Sequence, residues 1–413
     1  MRILMLAQSY APVVGGEERI VEDLSIELAR RGHDVGVATL RQPAGEPPQS
    51  SDGVAVHLLG SGLERMPGLT LDGERRYAPP GPDPVTVRDL RRVLRRVRPE
   101  VVHGHNWLAD SYLPLERRSG AAFVLSLHDY SLVCATKRLF YRGGVCTGPG
   151  AAKCWRHAAE HYGSAKGTVI ASGTRMSEPW LRRRVDMVLP VSGAVRDMSG
   201  LADGDNCRVV PNFVGTLPHA PPAGDPRLAE LPDEPFALYF GDLTEDKGVR
   251  HLVDAYSGLE SAPPLVLIGR PLIDGLAAAP GVVQLGPMPH PLAIEALRRS
   301  LFAVVPSLLP ESFGIVALEA AAAGKATIAS DIGGLRDVVV DGESGLLVPP
   351  GDRDALRSAL LTMIADVPAR DRMGRGAARQ AELFRPGAIV PRFEDAYLAA
   401  LDARLKRGSP SGR

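Results

Sequence analysis

Apolar residues fall along this chain in short runs separated by longer mixed stretches. Arg2 to Ala7 is the first run, and it ends in a polar, glycine-containing loop. From Glu17 to Arg31 the pattern changes period and sets Ile20, Leu24 and Leu28 on one helical stripe. Gly32 is a natural helix stop, and His33 to Leu40 supplies the next strand. Strand, loop, helix, strand is the unit of a parallel sheet covered by helices. Further runs at Val54 to Leu59, Val101 to Val102, Phe123 to Leu127, Met187 to Val191 and Arg208 to Val210 extend this first sheet, while the ragged stretch from Gln42 to Pro84 reads mainly as surface loop.

Between Asn212 and Pro235 the prolines are too dense for a helix or a central strand, which predicts an interdomain linker over 212–235. The pattern then restarts at Phe236 to Phe240, Leu265 to Ile268, Val282 to Leu285, Phe302 to Val305, Ala326 to Ala329 and Leu346 to Val348. The expected fold class is therefore α/β, with two doubly wound parallel-sheet domains over 1–211 and 236–386. A C-terminal helix in 387–413 is expected to return to the first domain. Ligands of such sheets bind outside the carboxyl ends of the strands, so two facing sheets predict a site between the domains.

A length of 413 residues agrees with two cores, and the 48 Lys plus Arg balance the 48 Asp plus Glu. No global field favours nucleic acid or an acidic polymer, so any binding charge is local. The apolar part of MRILMLAQSY is too short for a signal-peptide core, and no run of about eighteen apolar residues occurs. A cytoplasmic location is expected, with peripheral contact at the inner membrane surface left open. The segment for that contact is Val87 to Glu100, where Val87, Leu90, Leu94 and Val97 share one helix face among arginines; a solvated helix is the other reading.

The densest chemistry lies between Pro306 and Gly334. Glu311 precedes a helix, Glu319 sits eight positions on within the apolar VALEAAAAG, and the helix starts near Phe313 and Gly314. Amides of Phe313, Gly314 and Ile315 are thus donors at the positive end of a helix dipole, where an anion is welcome. A buried Glu319 needs partners, and ligand hydroxyls can supply them.

This segment, with its two glutamates around FG, its GK, its GG loop and the DGESGLLVPPGD stretch at 341–352, resembles the group-1 retaining glycosyltransferases of family 4, which have the GT-B fold. APVVGGEE, VVHGHN, LSLHDY, VSGAV and VVPNFV extend the resemblance over most of the chain. It implies a first, acceptor-side domain and a second, nucleotide-sugar-binding domain. It implies that Glu311 approaches the transferred sugar, that the Phe313, Gly314 and Ile315 amides approach the donor, and that Glu319 binds the ribose hydroxyls. Lys247 then neutralises phosphate, Gly15 and Gly16 let backbone approach the diphosphate, and His128 lies beside the sugar. His103 and His105 are acceptor-side candidates. The reaction implied is transfer of a hexose-type sugar from a nucleoside diphosphate sugar to a small-molecule, glycan or lipid-linked hydroxyl acceptor, with no metal or other cofactor required for catalysis.

Asp242 departs from the pattern, standing where the family commonly has arginine; it would repel a diphosphate unless a cation such as Arg270 compensates. Cys134, Cys146, Cys154 and His157 either close a structural zinc site or are ordinary thiols with an unrelated histidine. Two rival functions remain at this stage: a nucleotide-sugar epimerase or phosphorylase on the same fold, and a non-catalytic nucleotide-sugar-binding protein.

Overall fold

The computed structural model describes residues 1–11, 13, 15–43, 45, 50–65, 75–204, 206–218, 225–276 and 279–408. The chain divides into two compact units, one of Met1–Leu139, Thr147–Pro211 and Ile389–Arg413, the other of Phe140–Cys146 and Asn212–Ala388.

The first unit runs β1 (Arg2–Ala7), α1 (Gly16–Arg30), β2 (Asp34–Leu40), β3 (Ser50–Ser51), β4 (Val54–Leu59), α2 (Pro84–Val97), β5 (Val101–His105), α3 (Glu116–Ser119) and β6 (Ala122–Leu127). A two-stranded antiparallel ribbon follows, β7 (Phe140–Tyr141) and β8 (Gly144–Val145), and groups with the second unit. The first unit resumes with α4 (Ala151–Tyr162), α5 (Ser164–Arg184), β9 (Met187–Pro190) and α6 (Gly193–Met198). Among the described residues its sheet has the order β3-β4-β2-β1-β5-β6-β9 and is parallel apart from the β3–β4 pair. β1 lies between β2 and β5, so the strand order reverses there. Ile3 to Leu6 are fully buried, as expected for a central parallel strand covered on both faces.

The second unit contains β10 (Ala237–Phe240), α7 (Val249–Tyr256), β11 (Leu265–Ile268), β12 (Val282–Leu285), α8 (His290–Arg299), β13 (Phe302–Val305), α9 (Ile315–Ala322), β14 (Thr327–Ser330), α10 (Leu335–Val338), β15 (Gly345–Val348), α11 (Arg353–Ala365) and α12 (Val367–Glu382). Its strands lie in the order β12-β11-β10-β13-β14-β15, all parallel. Successive side chains leave a strand on opposite faces. Accordingly Ala237, Tyr239, Leu265 and Leu267 pack with α7 and α11, whereas Leu238, Val266 and Ile268 pack with α8. The order reverses between β10 and β13, which makes the ends of these two strands the expected ligand position.

The last helix, α13 (Pro386–Gly408), belongs to the first unit from Ile389 onward. Its buried Tyr397 hydroxyl meets His103 Nδ1 at 2.9 Å, Arg404 pairs with the buried Glu116, and Glu394 takes Arg31 at 2.7 Å.

Two expectations change. Arg208 to Val210 forms no strand, although Arg208 and Val210 donate to the carbonyls of Val188 and Pro190 at 3.0 Å each. Within the proline-rich 212–235, residues 219–224 lie outside the described set, and Leu231 packs into the second unit's core rather than standing in a free spacer. Between Leu127 and Met187, where the apolar runs mark no element, most of 151–184 is an α4–α5 helical hairpin. Among the described residues no helix is long and apolar enough to cross a membrane.

Candidate active site

Lys247 follows β10 and Glu311 follows β13, the two strands that flank the second unit's switch point. Backbone contacts fix both. The carbonyl of Asp246 accepts the amides of Leu308 and Leu309 at 2.9 and 3.1 Å, which ties the two loops together. Gly248, at φ 70°, lies so close to the end of β13 that a Cβ would meet the Pro306 carbonyl oxygen at 1.9 Å. Only glycine fits there, and this close approach sets where Lys247 can reach. Lys247 Nζ stands 2.6 Å from Glu311 Oε1, which also accepts from the Ser307 hydroxyl. The backbone of Glu311 is held in turn, its carbonyl taking the Gly334 amide at 2.7 Å.

The helix α9 starts three residues beyond Ser312. Gly314 is its N-cap in the left-handed region, at φ 96° and ψ 54°. As the first turn of any helix lacks intrahelical acceptors for its amides, this end offers donors and the positive end of a dipole. Phe313 is buried against the Phe384 ring. Glu319, the single charged residue of α9, is buried, and its Oε1 lies 2.7 Å from Nε2 of His290 at the start of α8. A charged buried carboxylate needs such a partner. His290 was not singled out from the sequence; only its position between two prolines marked it.

Of the two possibilities for Asp242, its surroundings show the compensating cation. Arg270 donates to both carboxylate oxygens, Nε to Oδ1 at 3.0 Å and Nη2 to Oδ2 at 2.8 Å. The two loops are zipped besides, with Leu243 donating to the Arg270 carbonyl at 2.9 Å. Asp242 is therefore one half of a bidentate pair rather than an uncompensated negative charge.

On the first unit, Gly15 is the extended N-cap of α1 and Gly16 its first residue. The Glu18 carboxylate folds back on this end, so that a Cβ on Gly15 would stand 2.1 Å from its Oε2. His128 follows β6 and stacks on His105 with ring centroids 5.1 Å apart. His105 Nδ1 and His128 Nε2 are 2.8 Å apart, so one proton lies between them and the two tautomers are linked. His103 bonds Ser126 at 2.8 Å through Nε2. Burial, with His128 nearby, holds His103 down to about 3, and burial puts His105 well below its ordinary value. Both rings are neutral at physiological pH. Glu17, unremarked in the sequence, accepts from Asn106, a residue in the left-handed region. Loss of water and then Glu18 and Asp129 push Glu17 up to about 8.

The four tentative metal ligands are not brought together. Among the described residues no group of three or more His, Cys, Asp or Glu side chains could hold a metal ion. Cys154 and His157 stand on α4 rather than in a loop, Cys154 Sγ accepts the Gly150 amide at 3.3 Å, and Cys134 Sγ meets the Thr136 hydroxyl at 3.3 Å. Of the two readings of this cluster, ordinary thiols fit the hydroxyl and amide partners of Cys134 and Cys154.

A family model described as Glycosyl transferases group 1 matches residues 225–380, and one described as Glycosyltransferase Family 4 matches residues 14–216. Glycogen synthase of Mycobacterium tuberculosis is 31% identical over 97% of this chain and 95% of its own length. D-inositol 3-phosphate glycosyltransferase of Acidothermus cellulolyticus is 29% identical over 98% and 91%. Among solved structures, sucrose-phosphate synthase from Thermosynechococcus elongatus matches with a TM-score of 0.70 at 21% identity, covering 98% of this chain and 99% of that one. Anabaena HepE, solved in complex with UDP and glucose, matches at 0.66 and 17%, covering 96% and 98%. The chain belongs to the group-1 glycosyltransferases of family 4 and has the GT-B fold. It is a transferase that uses nucleotide-sugar donors.

The start of α9 can be tested without any ligand. Gly314→Ala forces a side chain into the left-handed region and puts its Cβ 2.6 Å from Leu335 Cδ2. A loss of roughly 1–3 kcal/mol in urea unfolding is expected. Unchanged stability would mean that this end of the helix is not fixed as described.

Proposed function

We propose that the chain transfers its hexose with retention of anomeric configuration, and that the β10 and β13 loop ends of the second unit carry the donor. The observation that supports this most is the 2.6 Å contact of Lys247 Nζ with Glu311 Oε1 at the strand-order reversal, beside the Gly314 helix start. There a cation and a set of amides stand where a diphosphate leaves, and a carboxylate stands where a sugar hydroxyl needs an acceptor. The acceptor oxygen forms a bond to the anomeric carbon as the bond from that carbon to the phosphate oxygen breaks. The acceptor's proton passes to the departing phosphate. Positive charge develops on the sugar and negative charge on the phosphate, so fixed charges and positioning do most of the work.

In this reading Lys247 and the Phe313, Gly314 and Ile315 amides stabilise the leaving group, and Glu311 and His128 hold the sugar. The Gly15 and Gly16 backbone contacts the diphosphate once the Glu18 carboxylate moves aside. No metal is required, since the ammonium and the amides take the charge. HepE was solved with UDP and starch synthase IV of Arabidopsis thaliana with ADP, which supports a nucleoside diphosphate leaving group without choosing the base. With Asp242 paired to Arg270, its charge gives no support to a non-catalytic protein.

Glu319 then reads the ribose, with His290 holding Oε1 and thereby orienting the carboxylate. Two measurements check this reading. An α-linked donor should give an α-linked product by proton NMR, and a β-linked product would refute retention. Separately, the intact protein should prefer a nucleoside diphosphate over its 2′- and 3′-deoxy analogues by about ten- to a hundredfold, the equivalent of one charge-assisted hydrogen bond. Glu319→Ala should abolish that preference and His290→Ala should reduce it. A preference that persists in Glu319→Ala removes Glu319 from the ribose site.

A further inference from the structure

The structure relocates the surface at which this protein would meet a membrane. In α2 the apolar stripe singled out from the sequence is already covered, because Leu90 and Leu94 are buried and Val87 and Val97 are half-buried. What remains outside on that helix is mostly arginine. The α4–α5 hairpin shows the opposite arrangement. Val169, Met176 and Trp180 follow one another by seven and four positions, hence along one face of α5, and are 57%, 72% and 56% exposed. Trp155 of α4, 48% exposed, joins this face by donating its Nε1 to Ser172 at 3.2 Å. Beside it runs a groove of about 450 Å³ whose walls include Pro80, Pro82, Leu113, Pro114, Met176 and Trp180.

Charge identifies the occupant. The chain as a whole is neutral, yet α5 carries Lys166, Arg175, Arg182, Arg183 and Arg184 against Glu178 alone. Arg182 is bonded to Glu178 and Arg184 to Glu116, whereas Arg175 and Arg183 are exposed next to Met176 and Trp180 along α5, Arg117 on α3 is exposed on the wall of the groove, and Arg156 is exposed next to Trp155 on α4. Large apolar side chains with tryptophans among exposed arginines match the boundary of an anionic bilayer, where the rings sit at headgroup level and the guanidinium groups meet phosphates. We propose that the α4–α5 face of the first unit docks on an anionic membrane surface, Trp155, Val169, Met176 and Trp180 entering the headgroup region. This inference does not depend on the roles assigned to the second unit.

The chain carries its own reporter, since two of its three tryptophans lie in this patch and the third, Trp107, is buried. The full-length protein is mixed with vesicles of phosphatidylcholine alone and of phosphatidylcholine with one third phosphatidylglycerol. Flotation with the anionic vesicles, a blue shift of tryptophan emission and quenching by brominated acyl chains are expected, all weakened by salt. Trp155→Ser with Trp180→Ser, both exposed positions, should lower vesicle partitioning by about tenfold or more, and so should Arg175→Glu with Arg183→Glu. Circular dichroism and nucleoside diphosphate binding should stay at the starting level in both variants. The proposal is overturned by absence of vesicle binding, by binding that survives these substitutions, or by self-association through the patch in lipid-free solution. Glycerol phosphate producing the same emission change as vesicles would equally overturn it, because the headgroup alone would then be the ligand.

Discussion

The ion pair between Lys247 and Glu311 depends on backbone geometry before it depends on charge. Its two residues follow neighbouring parallel strands, and the loops that carry them are locked by the Asp246 carbonyl and by the missing Cβ of Gly248. With the loops so fixed, an ammonium and a carboxylate are held 2.6 Å apart at a sheet edge, next to the Gly314 helix start. Long side chains in water would gain little from such a pair. Here the geometry is established by the fold, which is what the proposed function asks of charges that meet a ligand whose own charge develops during reaction.

The strands were legible because parallel sheets covered by helices bury both faces, and apolar runs therefore coincide with strands. Val54–Leu59, Leu265–Ile268, Val282–Leu285 and Phe302–Val305 were read with their observed ends. Arg208 to Val210 misled for a related reason, since it lies against the β9 edge and makes ladder-like bonds without becoming a strand. The α4–α5 hairpin was missed because its large apolar residues Trp155, Val169, Met176 and Trp180 are on the outside, while the buried face of α5 mixes Ile170 and Leu181 with Gly167, Thr174 and Ser177 and so shows no clear apolar stripe. The same logic reverses for α2: its stripe was visible, but a sequence pattern does not say whether a stripe is buried in the core or left for a partner.

Glu311 and Glu319 were accessible from the sequence as carboxylates at a helix start and within an apolar run, and Lys247 through the family resemblance. Arg270 was legible as a compensating cation for Asp242 twenty-eight positions away, because it follows β11, which pairs with β10. The partner of Glu319 was harder to see, since His290 stands twenty-nine positions away and only the placement of α8 brings it near. The cysteine and histidine cluster was open to two readings in the sequence, because spacing alone does not say how side chains point; Cys134 and His157 both reach the Thr136 hydroxyl, at 3.3 and 3.5 Å, yet no metal-holding group of three forms among the described residues. On the first unit the linked pair of His105 and His128, backed by His103, Ser126 and Tyr397, shows how one histidine after a strand acquires a fixed ring orientation.

The central claim is that Lys247 meets the donor's phosphates, and binding of nucleosides with and without phosphate to Lys247→Ala tests it most directly. Calorimetry should show nucleoside diphosphate affinity lower by about ten- to a hundredfold, the worth of one charge-assisted contact of about 1.5–3 kcal/mol, with binding of the bare nucleoside unchanged. Equal losses for the nucleoside and its diphosphate, or no loss for either, would contradict the assignment of this strand-end pair to the donor.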